Sequence, residues 1–338
     1  MAASGRVGRW RWLIIDDTAL PKKGKASVGV APQYATVLGK NANCQTLVSV
    51  TLASGEVPVM LGLRLYLPES WTSDTARMER AGVPEDFQAY RTKPDIAIKE
   101  IDRVIAAGVR FGCVLADAGY GLSAPFRQAL SARGLRWAVG IPRHQKVYPA
   151  DVQLIFPVAE RGRPRVRHVP DVKSRAAHAM LEEVKWRKIS RRRGSKDRLT
   201  ARFAAMRVRI ANGAPQRIGS AGAQHMPGEE AWLVGEHRSN GERKYYLSNL
   251  PADTAIKDVA GAIKARWICE QAHQQLKEEL GLDHFEGRSW TGLHRHLLMT
   301  MMAYAFLQAR GLSQTGRKKK SLRASCSTRP VGSPPSHP

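Results

Sequence analysis

The chain has 338 residues, 43% of them apolar and 25% charged, the composition of an ordinary globular protein and the length of two domains or of one domain with a large insertion. No apolar run approaches the roughly 18 residues of a membrane span, and the four apolar residues Trp12 to Ile15 are too few for the core of a signal peptide. Lysine and arginine number 54 against 29 acids, a formal charge of +25, which points to a polyanionic partner.

Trp10 to Ile15 is an aromatic and branched run that ends in Asp16-Asp17-Thr18. It reads as a central strand, apolar on both faces, with acids at its C-terminal tip. Residues 21–43, rich in Gly, Lys and Asn, read as a loop with one short strand. Cys44–Ala53 and Val57–Leu67, separated by Ser54-Gly55-Glu56, read as a hairpin. Pro94-Asp95 opens an amphipathic helix through Ile98, Ile101, Val104 and Ile105, and Gly108 closes it. Phe111–Ala116 is a buried strand ending at Asp117, Ser123 caps a helix to about Ala132, and Leu135–Ile141 is a further strand stopped by Pro142.

The pattern then changes. Residues 161–209 hold 17 basic and 4 acidic residues, with strand signals at Met206–Ala211, Trp232–Glu236 and Lys244–Leu247. A long helix is predicted from Ala255 to about Leu280 and another from about Leu293 to Arg310. From Ser313 the composition turns to Ser, Pro, Lys and Arg, and disorder is expected; residues 310–338 carry 7 basic and no acidic residues. Cys44, Cys113, Cys269 and Cys326 form no CxxC pair, which excludes a zinc ribbon and fits a reducing compartment.

Acids at the ends of neighbouring parallel strands repel each other, and a divalent cation relieves the repulsion. Asp16 or Asp17 and Asp117 hold such positions, although acids there also serve as turn formers and helix caps. On the long helix Arg266, Glu270, His273 and Lys277 follow at spacings of 4, 3 and 4, so they share one stripe. Ala265, Cys269, Ala272, Leu276 and Leu280 form a second, apolar stripe. The polar stripe reads either as an Arg-Glu-Lys surface ladder or as part of a site. His294 and His296 read as helix surface, and Trp186 either as a base-stacking aromatic or as a core residue of the basic segment.

The chain resembles the bacterial insertion-sequence transposases with a DDE catalytic core. Arg266-x3-Glu270-x6-Lys277 matches the spacing of that group's Tyr-x2-Arg-x3-Glu-x6-Lys signature, with Ile263 in place of the tyrosine. LIIDDT at Asp16, LADAGYG at Asp117, PKKGKASVGVAPQY after the first strand and LYLPESW at Leu65–Trp71 resemble further family phrases. The resemblance implies an α/β, RNase H-like mixed sheet with flanking helices and a β-rich insertion before the last catalytic helix. Residues 1–141 would form the first part of the core, 142–248 the basic insertion, 249–312 the helical remainder and 313–338 a tail.

It further implies metal-dependent cleavage and strand transfer at element ends. Asp16, Asp117 and Glu270 are the expected catalytic and metal-holding residues, for two Mg²⁺ ions with Mn²⁺ as a substitute. In an extended strand Asp16 and Asp17 point to opposite faces, so only one is expected to face the metal. The expected DNA contacts are Arg266 and Lys277 near the metals, and Lys185, Arg187, Lys188, Arg191, Arg192 and Arg193 in the basic segment. The partners implied are double-stranded DNA at element ends and target and a second copy on that DNA, in the bacterial cytoplasm at the nucleoid, with no membrane role. Family members carry a helical region before the first strand, and the nine or so residues here suggest truncation. A non-catalytic DNA-binding remnant and an RNase H-like nuclease are the competing readings.

Overall fold

In the computed structural model, residues 11–35, 39–156, 167–193, 198–217 and 222–326 are described. Strand β1 (Arg11–Pro21) runs six residues further than its apolar start requires. It pairs antiparallel with β3 (Lys40–Ser54) along its whole length, whereas its parallel pairing with β5 (Cys113–Ala116) stops at Ile15↔Ala116. The expected strand tip is therefore the end of one ladder: beyond Ile15 the β5 edge of β1 is open while the β3 edge stays closed. The short β2 (Ala31–Ala35) borders the start of β3, and β4 (Val57–Tyr66) borders the rest after a turn in which Gly55 takes φ +65°.

β6 (Trp137–Ile141) continues the parallel pairing beyond β5. The order β4-β3-β1-β5-β6 is an antiparallel meander joined to parallel strands, the mixed sheet expected of an RNase H-like fold. Helix α3 (Lys93–Ala106) opens with a capping box between Thr92 and Asp95 and has proline in its first turn. Before it lie two short helices that no periodicity announced, α1 (Glu69–Thr72) and α2 (Thr75–Arg80). After β5 come α4 (Ala118–Gly121) and α5 (Ala124–Ala132), the latter capped by Ser123. Alternation along β1 sorts the core: Leu13 and Ile15 pack with Ile101, Val104 and Leu130 on one face, and Ile14 with Val259, Ile263 and Cys269 on the other.

The basic segment does not sit apart from this sheet. It contributes β7 (Lys146–Pro149), β10 (Arg175–Ala176), α6 (Ala177–Glu182), β11 (Arg187–Arg193) and the long hairpin β12 (Arg198–Arg217) and β13 (Ala223–His237). It ends in β14 (Arg243–Ser248), which pairs with β6. The boundary expected at residue 141 thus falls between strands that share a hydrogen-bond ladder. Only the two-residue pair β8 (Leu154–Ile155) and β9 (Val169–Pro170) forms a separate sheet among the described residues.

The expected long helix is two, α7 (Ile256–Ala265) and α8 (Trp267–Glu278), joined at Arg266, where the Cys269 amide reaches back to the Arg266 carbonyl and tightens the turn. Helix α9 (Trp290–Cys326) runs well past the predicted end at Arg310, so the disorder expected from Ser313 is not what is observed to Cys326. No proline interrupts the segment before Pro330, and nothing in the backbone forces an earlier stop. Two family phrases prove to be packing motifs. The Trp71 indole donates to the Val30 carbonyl at 2.8 Å, and Gln45 donates to Val28 O at 2.7 Å.

Candidate active site

The open edge of β1 brings three acids together. Carboxylate oxygens of Asp16, Asp17 and Asp117 lie within 4.8 Å of one another. Asp16, in register with Ile14, turns toward α8, and Asp17, in register with Ile15, turns toward α3. The two acids thus start from opposite faces of the strand, as expected, yet their carboxylates both lie close to Asp117. Both carboxylates reach around the unpaired edge to Asp117, because β5 no longer occupies it. Asp117 caps α4, its Oδ1 accepting from the amides of Gly119 at 3.0 Å and Tyr120 at 3.2 Å. The close packing behind it depends on glycine: a Cβ on Gly121 would lie 1.9 Å from the Gly140 carbonyl oxygen of β6.

Each acid of β1 has its own cation. Arg266 donates through Nη1 to Asp16 Oδ2 at 2.5 Å, and the Cys269 thiol donates to the same oxygen at 3.1 Å. Lys93, the first residue of α3, is ion-paired with Asp17. Burial pushes the Asp16 carboxyl above its ordinary range, opposed by Arg266 and Cys269. Asp117 is pushed up to about 6, first by burial and then by the negative charge of Asp16. Burial lowers Arg266, but the surrounding acids more than compensate and hold its guanidinium firmly charged. Asp16 and Asp117, raised first by burial and then by neighbouring negative charge, have with Asp17 the donor chemistry that a hard divalent cation takes.

The stripe predicted on the long helix is divided by the structure. Arg266, His273 and Lys277 turn inward, whereas Glu270 is exposed and bound to the other arm of Arg266. Glu270 does not join the acid cluster and is linked to Asp16 only through that guanidinium. His273 is buried, and burial with the nearby Lys277 lowers its pKa to about 4, so it is neutral at pH 7. Ser49 Oγ spends its proton on the Asp16 carbonyl, so His273 Nε2 is the donor in the 2.9 Å contact between them. Lys277, expected on DNA, donates to the Ala19 carbonyl at 2.9 Å and ties α8 to the far end of β1.

In the basic segment Lys185, Arg187 and Lys188 are exposed. Arg191, Arg192 and Arg193 belong to β11, but their side chains lie outside the described residues. Trp186 is half-buried against β13, its ring edge-on to His237 at 6.0 Å, which is the core reading. His294 and His296 are not simple surface residues: His294 stacks on Trp290 and His296 meets the Gly281 carbonyl at 3.1 Å. Lys93, Ser49 and Cys269 were not legible as site residues. Lys93 is 76 positions from the acid it serves, and Cys269 looked like one more member of an apolar stripe.

Acids at the ends of the central parallel strands, with an arginine-bearing helix across them, form a cluster able to take a divalent cation. The family model of the DDE superfamily endonucleases matches residues 2–198, and the chain belongs to that family, which implies use of a divalent metal. It is 35% identical over 138 residues to the probable transposase for insertion sequence element IS701 of Microchaete diplosiphon, an alignment covering 40% of this chain and 32% of that protein. The chain thus spans about a third of the length of the curated relative it matches. No helix among the described residues is long and apolar enough to cross a membrane.

Proposed function

We propose that the protein is a DNA transposase that cleaves phosphodiesters and transfers strands at insertion-sequence ends. The observation that carries this reading is the convergence of the Asp16, Asp17 and Asp117 carboxylates within 4.8 Å at the open edge of β1. Asp16, Asp117 and Glu270 are assigned to hold the metal, and Glu270 joins them by giving up Arg266. When bound, Mg²⁺, or Mn²⁺ in its place, supplies Lewis-acid activation of a water or 3′-hydroxyl and neutralises the leaving oxygen. Released from Glu270, Arg266 has donors free for a phosphate of the scissile strand, and Lys277 keeps α8 in place against β1. Lys185, Arg187, Lys188, Arg191, Arg192 and Arg193 are assigned to the DNA backbone, as phosphate contacts rather than base readers.

The working form in this reading is a homodimer on double-stranded DNA at element ends and target, in the bacterial cytoplasm at the nucleoid. The test is Mg²⁺-dependent cleavage of an element-end duplex. Asp117→Asn and Glu270→Gln should each abolish cleavage and leave DNA affinity nearly unchanged; cleavage that survives in both variants removes the enzyme reading. A second reading, a DNA-binding remnant without catalysis, draws on the exposed position of Glu270 outside the acid cluster. Wild-type protein that binds DNA but never cuts it would favour that alternative.

A further inference from the structure

We infer that Asp17 is a cation-holding carboxylate of this site in addition to the triad, and that Lys93 is its exchangeable counter-ion, withdrawing when a divalent cation binds. The inference rests on the metal-dependent reading of the site and extends it to two residues outside the triad. Its first support is position: a carboxylate oxygen of Asp17 lies within 4.8 Å of those of Asp16 and Asp117, although its side chain starts from the opposite face of β1. Two adjacent strand residues usually diverge. Here both bend to one edge, where they meet Asp117.

The second support is the kind of partner Asp17 has. Lys93 stands at the start of α3, where the helix dipole disfavours a cation. The capping box of Thr92 and Asp95 satisfies that terminus without it. The ion pair with Asp17 offsets this cost, and it is made at the rim: the two side chains are 29% and 19% exposed, so water and ions reach both. Lysine suits an exchangeable role better than arginine, being a single-point donor on a flexible stem. It also has somewhere to go. The Lys93 ammonium lies 5.6 Å from the centroid of the Tyr66 ring, a second partner for its charge once Asp17 is taken.

The experiment is Mn²⁺ binding to the full chain without DNA, followed by electron paramagnetic resonance of the free ion, with circular dichroism to verify folding. Asp17→Asn should weaken Mn²⁺ binding by about tenfold or more. Lys93→Met, which removes the competitor, should tighten it severalfold, and Lys93→Arg, whose forked guanidinium holds Asp17 more firmly, should weaken it. The Lys93→Met gain should vanish in an Asp17→Asn background. Undiminished Mn²⁺ affinity in Asp17→Asn would overturn the inference, and so would a Lys93→Met gain of equal size in both backgrounds, since that would be a remote charge effect. Asp117→Asn separates the role of Asp17 from the metal reading itself. If it weakens Mn²⁺ while Asp17→Asn does not, only the role of Asp17 fails; if neither variant weakens it, or wild type binds no Mn²⁺, the metal reading fails as well.

Discussion

At Asp117 a proton and a divalent cation compete for one carboxylate. Its pKa of about 6 in the folded chain stands above the ordinary 3.8, so between those values the folded state holds a proton that the unfolded state has lost. That contribution to stability is fully present below about pH 4 and is lost as pH rises through 6. Divalent cations should therefore raise the melting temperature strongly at pH 7.5 and little at pH 5. Equal metal-induced shifts at both pH values would contradict the assignment. Asp117→Asn removes the repulsion while keeping a good helix cap. It should raise the metal-free melting temperature above pH 6 while abolishing the metal response, and thermal unfolding with and without Mg²⁺ measures both.

Helix α4 is only four residues long, yet it decides where Asp117 points. It does so by lying against β6 at a distance only glycine permits. Gly121→Ala would put a methyl carbon 1.9 Å from the Gly140 carbonyl oxygen, a backbone clash that no rotamer relieves. We expect a loss of about 1–3 kcal/mol in chemical denaturation, together with weaker metal binding. A stability unchanged within error would show that α4 does not pack as described. The junction between α7 and α8 has the complementary role. It turns Arg266 onto Asp16 while Glu270, one turn later, stays in solvent. Arg266→Ala should leave Asp16 buried without its cation, lowering stability and enlarging the stabilisation by Mg²⁺ at neutral pH, which unfolding with and without metal would report.

Across the molecule the charge is segregated: the segment from 161 to 209 holds 17 of the 54 basic residues, and its β11 pairs with β12 of the long hairpin. Binding of phosphates by lysine and arginine releases counterions, so DNA affinity should fall steeply with salt, by about 0.9 log units per tenfold salt for each phosphate neutralised. Replacing the exposed Lys185, Arg187 and Lys188 with glutamine should make that slope shallower by about 0.9 for each phosphate left without its cation. Fluorescence anisotropy at several salt concentrations checks it; an unaltered slope would place the DNA elsewhere on the surface.

Local signals specified much of this protein. Ser54-Gly55-Glu56, Pro94-Asp95, Ser123 and Gly108 marked their turns and helix ends, because caps and turns depend on the chemistry of a few adjacent residues. The apolar run at Leu13 to Ile15 announced a strand buried on both faces for the same reason. The acids Asp16 and Asp117 were legible as a pair because each follows a buried strand. What could not be read was set by residues distant in the chain. The early end of β5 opens the edge that admits Asp17, Lys93 reaches that edge from α3, and Arg266 rather than Glu270 meets Asp16. A carboxylate's neighbours are fixed by which strand stops first and which helix crosses it, and those are properties of the packed sheet, not of any spacing along the sequence.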